Sequence, residues 1–230
     1  MQAIILAAGM GTRLRSVSPS KPLTPVGGTP LLVRILANLA AAGITRPLVI
    51  TGYESAGVEA AARAAGAETV HNPDWEAPNG VSVLAAAPLL EARALLVMGD
   101  HLASASLYAA VAAAPLDGDG LVLGIDRRLG HPWVDEADVT RVSTRPKAQA
   151  LDRIVAIGKT IASYDAYDSG VFLITPALMA ALAGLPQPGL SDGVRRLAGQ
   201  GRAAALDVSA HDWIDIDDPR ALALAEDWTA

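Results

Sequence analysis

Short apolar blocks alternate with amphipathic stretches along this chain. Gln2 to Ala7 is a nearly continuous apolar run that stops at Gly9 and Gly11. Such a run fits a strand buried on both faces, as in a parallel sheet. Pro30 to Ala42 carries Leu31, Leu32, Ile35, Leu36 and Leu39 on one helical stripe, with Gly43 placed as a C-cap. Strands are predicted next at Pro47–Thr51, Glu68–His71, Ala94–Met98 and Gly120–Ile125, with helices between them at Ser55–Ala65, Ser82–Glu91 and Leu102–Ala114. This order predicts an α/β fold with an open, mostly parallel sheet and right-handed crossovers. Beyond Ile125 the pattern loosens. Ala137–Ile157 predicts a pair of β segments, Ser169–Ile174 and Ala203–Val208 strands, and Pro176–Ala183, Ser191–Gly199 and Pro219–Ala225 helices. There is no repeat and no linker, so the expectation is one domain over residues 1–230 with a β insertion after the central sheet.

Composition narrows the function. Apolar residues make up 51% of the 230 positions and charged residues 18%, enough for a packed core. The absence of Cys excludes a disulfide framework, a thiolate metal site and a Cys nucleophile. A net charge of −6 argues against a nucleic-acid surface, which needs clustered Lys and Arg. The apolar start has no basic segment ahead of it, and the most apolar stretch, Ser82 to Gly99, is broken by Pro88, Glu91 and Arg93. Neither a secretory signal nor a spanning helix is expected, so the predicted location is cytoplasmic, without membrane insertion.

Four segments carry candidate chemistry. In Leu6-Ala-Ala-Gly9-Met-Gly11-Thr12-Arg13-Leu14, a buried strand ends in small residues whose N–H groups can face a phosphate. Arg13, and Lys21 in Lys21-Pro-Leu23, add positive charge suited to a triphosphate. The spacing is neither a dinucleotide fingerprint nor a Walker loop, because Leu14 stands where a third Gly would be and no Gly-Lys-Ser/Thr follows. Asp100, in Met98-Gly-Asp-His101, falls at the C-terminal end of a central strand, where α/β sheets bind ligands, and offers a hard oxygen to Mg²⁺. In Trp213-Ile-Asp215-Ile-Asp217-Asp218, residues 215 and 217 share one face of an extended segment. Together they could complete a metal site with Asp100, while one of the three acids caps the last helix. Asn79 and Ser82 read either as a capped turn or as groups that face the hydrogen-bonding edge of a pyrimidine. His101 is read as a neutral structural residue with no role.

These motifs resemble the nucleotidyltransferases that join a nucleoside triphosphate to a phosphorylated sugar or alcohol. The resemblance implies a Rossmann-like, mostly parallel mixed sheet flanked by helices, of the nucleotide-diphospho-sugar transferase type. It implies a cradle of Ala7, Ala8, Gly9, Gly11 and Thr12, transition-state cations Arg13 and Lys21, and Mg²⁺ on Asp100 with Asp215 or, second, Asp217. Asn79-Gly-Val-Ser82 with Met98-Gly-Asp-His101 looks most like the cytidylyltransferases acting on inositol 1-phosphate, and it also resembles those acting on phosphocholine or aminoethylphosphonate. The segments Gly124–Arg128, Val134–Val142, Ile157–Lys159 and Tyr164–Phe172 follow the inositol-phosphate type in order. The chain differs from that type at Gly130 to Asp135. Lys159, Arg127 and Asp168 are the implied acceptor-binding residues. The implied partners are CTP, a phosphorylated acceptor and, downstream, a membrane-bound CDP-alcohol transferase. A sugar 1-phosphate with UTP is the alternative pair within the class. A nucleotide-binding regulator without catalysis is the alternative outside it.

Overall fold

The computed structural model describes residues 1–14 and 17–229. The first half runs β1 (Gln2–Ala7), a small hairpin of β2 (Pro25–Val26) and β3 (Thr29–Pro30), α1 (Leu31–Ala41), β4 (Arg46–Thr51), α2 (Ser55–Ala64), β5 (Glu68–His71), α3 (Asn79–Ala85), β6 (Ala94–Met98), β7 (His101–Ala103) and α4 (Ala105–Ala112). The second half runs β8 (Leu121–Asp126), β9 (Arg141–Arg145), β10 (Asp152–Gly158), β11 (Ala166–Ile174), α5 (Pro176–Ala183), α6 (Leu190–Gly199), β12 (Ala203–Asp207), β13 (Trp213–Asp215) and α7 (Pro219–Thr229).

One nine-stranded sheet has the order β5-β4-β1-β6-β11-β8-β12-β10-β9. Neighbours from β5 to β6 are parallel. Antiparallel pairing begins where β11 lies between β6 and β8, and the β9–β10 hairpin is also antiparallel. The sheet is therefore mixed, and its parallel character is concentrated in the first half. Alternate residues of β1 enter two different cores. Ala3, Ile5 and Ala7 pack with α1, α4 and α7, while Ile4 and Leu6 pack with α3, α5 and α6. This is why β1 is apolar at successive positions rather than at alternate ones.

Several boundaries differ from the sequence expectation. Leu102–Ala114 is not one helix. His101–Ala103 is extended and pairs antiparallel with β13, and α4 starts only after Ser104, whose hydroxyl accepts from the N–H of Leu107. Tertiary pairing overrides the helical pattern here. Ser82–Glu91 is likewise not one helix: α3 begins at Asn79 and ends at Ala85, and a 3₁₀ turn covers Ala87–Leu89. Pro88 has no N–H to continue the helical ladder. Strand β11 begins at Ala166, before the expected Ser169, and α7 runs on to Thr229. The expected pair of β segments is the β9–β10 hairpin, and β9 bonds back to β11 at Ala166 and Tyr167.

The register of β11 on β8 shifts between Asp168 and Phe172. Gly170, at φ +76°, supplies the left-handed conformation in that bulge. The irregularity turns one end of β11 toward the cleft at the C-terminal edge of the sheet, while Phe172 remains core, 1% exposed. Phe172→Ala is expected to cost about 3–5 kcal/mol, measured by urea unfolding, because that core leaves a cavity that collapses only in part.

Candidate active site

The glycine loop is built around the end of β1. The carbonyl of Leu6 accepts from the N–H of Gly99 at 3.0 Å, and that of Ala8 from the N–H of Tyr53 at 3.0 Å. A Cβ on Gly99 would stand 2.4 Å from the Leu6 oxygen, so the turn carrying Asp100 can press directly on the loop. Gly11 has φ +58°, and a Cβ there would lie 2.4 Å from Cβ of Lys21. That close approach lets Lys21 run under the loop. Ala7, Gly9, Gly11, Thr12, Arg13 and Lys21 line one lobe of the cleft together with Asp100 and Asp217. Ala8 is buried just behind them.

The acids arrive from two antiparallel strands. Asp215 of β13 faces His101 of β7, and Asp100 precedes His101. The Lys21 ammonium, its side chain 8% exposed, lies 2.8 Å from Asp100 and 3.8 Å from Asp215, and it is ion-paired with Asp217. Asp217 also pairs with Arg13. Asp218 is the helix cap, accepting from the N–H of Ala221 at 2.7 Å. Ligand atoms of Asp100, His101 and Asp215 all lie within 4.8 Å of one another. The buried Oδ1 of Asp215 has no hydrogen-bond partner among the described residues. An orphaned carboxylate oxygen beside a second acid is the donor set a divalent cation completes. Asp215 fits that part better than Asp217, whose oxygens are taken by Lys21 and Arg13.

Charge is strongly coupled here. Burial opposes ionisation of Asp100, but the Lys21 ammonium and His101 outweigh it and hold this carboxyl well below the usual range. Burial, reinforced by Asp100 and Asp217, pushes Asp215 up to about 6 against His101 and Lys21. His101 corrects the sequence reading. Burial lowers its pKa, but Asp215, Asp100 and Asp168 raise it to about 9, and its Nδ1 lies 2.8 Å from Asp100. It is tied to the acids of the site rather than a spectator. Its ring stacks on Trp213 with an interplanar angle of 2°, and the indole N–H of Trp213 donates to buried Asp126 at 2.9 Å.

A second lobe opens beside the first. Lys159, Asp168, Gly170, Asp138, Trp133 and Arg220 are on its wall, as are Val134 and Asp135 of the divergent segment. Lys159 is ion-paired with Asp138, and burial pushes Asp168 up to about 6. Arg127 is not there. It is held by Asp165, by Asp152 at 2.7 Å and by Thr144 at 3.1 Å, where it ties β8 to the β9–β10 hairpin. Ser82 is not on the wall either. It is buried in α3, and its hydroxyl accepts from the amide of Asn72 at 3.0 Å. Asn79 reaches the cleft, with its amide oxygen accepting from the N–H of Leu190 at 2.8 Å. Arg220 and Asp138 are not singled out by the sequence; Asp138 does stand in Val134–Val142, a segment that follows the inositol-phosphate type, while Arg220 stands in a segment without a recognisable spacing. His101 could have been found from its place after Asp100.

Residues 3–166 match the family of the MobA-like NTP transferase domain. The chain is 34% identical over 233 residues to the bifunctional IPC transferase and DIPP synthase of Rubrobacter xylanophilus, across 98% of this chain and 51% of that protein. It is 32% identical over 249 residues to the CMP-5'-(3-aminopropyl)phosphonate synthase of Streptomyces rubellomurinus, across 95% of this chain and 37% of that protein. The inositol-1-phosphate CTP transferase from T. maritima superposes with a TM-score of 0.85 at 26% identity, covering 98% of this chain and 93% of that one. The chain spans about half the length, or less, of the first curated relatives it matches. Among the described residues, no helix is long and apolar enough to cross a membrane.

Two outcomes follow from this geometry. Gly11→Ala is expected to displace Lys21 and lower turnover while the folded far-ultraviolet spectrum is kept, because its Cβ meets Lys21 and its φ is positive. Because Asp215 keeps its proton up to about 6, a divalent ion must displace that proton at lower pH. Calorimetric titration with Mg²⁺ is expected to show affinity falling as the pH drops through about 6 and levelling off above it.

Proposed function

Since the chain belongs to the family of MobA-like NTP transferase domains, a family of nucleotidyltransferases, we propose that it is a cytidylyltransferase. On this reading it joins CTP to a phosphorylated polyol, with inositol 1-phosphate favoured, and yields a CDP-alcohol and pyrophosphate. The observation that carries the reading is the Lys21 ammonium, set among Asp100, Asp215 and Asp217 against a glycine loop. The name of the T. maritima relative supports the acceptor, and those of the T. maritima and Streptomyces relatives support cytidine. The continuous nine-stranded sheet supports treating residues 1–230 as one nucleotidyltransferase domain.

The chemistry asks little covalent help from the protein. A phosphate monoester has a second pKa near about 6, so at neutral pH the acceptor is already an anionic nucleophile and needs no general base. One of its oxygens forms a bond to the α-phosphorus of CTP, the α–β bridging bond breaks, and the electron pair leaves with pyrophosphate. Arg13 and Lys21 stabilise charge on the α-phosphate and the departing group. Backbone N–H groups of the glycine loop bind the triphosphate. Lys159 holds the acceptor phosphate, and Asp168 accepts from acceptor hydroxyls. Asp100 and Asp215 would hold Mg²⁺, with His101 beside them. That ion, when bound, would supply charge neutralisation across the two phosphates. The CDP-alcohol is then a substrate for a membrane-bound transferase of the phosphoalcohol group.

The Streptomyces relative favours a second acceptor, an aminoalkylphosphonate, for the same pocket. A regulator without catalysis has no use for Arg13, Lys21, Asp100 and Asp215 gathered at one point. The test is a matrix of CTP, UTP, ATP and GTP against inositol 1-phosphate, phosphocholine, aminoalkylphosphonates and sugar 1-phosphates, read by pyrophosphate release. CTP with inositol 1-phosphate is expected to be fastest, and silence in every cell would overturn the reading. Lys21→Ala is expected to lower kcat by at least about a hundredfold. Asp100→Asn is expected to abolish Mg²⁺-dependent turnover with the fold intact; unchanged dependence on Mg²⁺ would count against its assignment.

A further inference from the structure

Asp138 holds two cations that come from opposite sides of the cleft. It lies in the segment joining β8 to β9, where the carbonyl of Asp135 accepts from the N–H groups of Asp138 and Val139 and fixes the turn. Its Oδ2 accepts from Nη2 of Arg13 at 2.5 Å, and its Oδ1 accepts from Nζ of Lys159. Arg13 follows β1 in the glycine loop, whereas Lys159 directly follows β10 in the insertion. Through Asp217, Arg13 connects onward to Lys21 and Asp100. Opposite charges therefore alternate across the cleft from one wall to the other.

Burial holds neither cation in place. The Arg13 side chain is 48% exposed and that of Lys159 is 56% exposed. Side chains this long sample many rotamers unless an anion fixes them. Two charge-assisted bonds to one carboxylate set the direction of both. On the cytidylyltransferase reading, on which this inference rests, Arg13 serves the triphosphate and Lys159 the acceptor phosphate. We propose that Asp138 is a positioning residue for that reaction: it aims Arg13 and Lys159 at the junction between the two substrates, and it keeps hold of both cations while their remaining N–H groups turn to the phosphate oxygens that arrive. A carboxylate kept there offsets part of the charge that draws phosphate. Asp138 therefore improves orientation at some expense of ground-state affinity.

The test is Asp138→Asn, which keeps the shape and removes the charge. The expected result is a kcat lowered roughly ten- to a hundredfold, with KM for CTP and for the acceptor unchanged or reduced. Asp138→Glu is expected to recover part of kcat. In an Arg13→Gln or Lys159→Gln background, Asp138→Asn is expected to cost much less than in the wild type. A wild-type kcat in Asp138→Asn, or a raised KM at unchanged kcat, overturns the proposal, since the latter would mean direct contact with substrate. Full additivity with both Gln variants overturns it as well. Titration with inorganic pyrophosphate gives a reading that needs no turnover: Asp138→Asn is expected to bind it at least as tightly as the wild type, and weaker binding overturns the proposal. If the wild type is silent in the whole matrix of substrates, the cytidylyltransferase reading fails, and the pyrophosphate titration still decides the part played by Asp138.

Discussion

A buried ammonium group organises this cleft. Lys21 reaches three carboxylates drawn from two distant segments, and its side chain is almost wholly out of solvent. A charge in that position is tolerated only when opposite charges surround it, because desolvation would otherwise cost several kcal/mol. The loop after β1, the turn between β6 and β7, and the end of β13 are therefore bound to one another by electrostatics as well as by backbone pairing. The glycines answer to the same constraint. Gly11 leaves room for the Lys21 stem, and Gly99 lets the Asp100 turn approach the end of β1. On the proposed function, the cation that neutralises the acids is also the one offered to phosphate oxygens, and a metal would take over its part among the acids.

Much of this was legible in the sequence, and the reason differs from part to part. Strands β1 and β6 stand out because both of their faces are buried, so they are apolar almost without interruption. The glycine loop stands out because close backbone approach and positive φ leave few residue types to choose from. Asp100 and Asp215 could be named from their places beside a strand end and on an extended segment. What could not be read were contacts made across the fold. Nothing local says that Arg127 prefers Asp152 and Asp165 to the cleft, or that Ser82 is claimed by Asn72. The helical pattern of Leu102–Ala114 misled because β13, more than a hundred residues later, offers the backbone of His101–Ala103 a better partner. The surroundings of His101 were hidden for the same reason: of the acids around it, Asp215 and Asp168 are far away along the chain.

Support for the acids is itself layered. Asp126 is fully buried and receives a guanidinium from Arg128 and the indole N–H of Trp213. Trp213 in turn lies flat beneath His101, on the strand that carries Asp215. The rigid ring and the satisfied ion pair behind it limit how far β13 can drift. On the proposed function small displacements would matter, since aligning two phosphates would be most of what the protein contributes.

The hydrogen bonds between β9 and β11 return the hairpin to the sheet from which it departs. A projecting hairpin would otherwise expose the outer strand along its length, and an exposed strand invites pairing with other chains. With that border sewn to β11, the wall carrying Lys159 is fastened at both margins, while the residues between β8 and β9 stay outside the ladder. Asp138 apart, side chains in that connecting stretch can be changed without unpairing a strand of the sheet. On the proposed function, the choice of acceptor could thus be retuned there while the glycine loop and its cations keep their places.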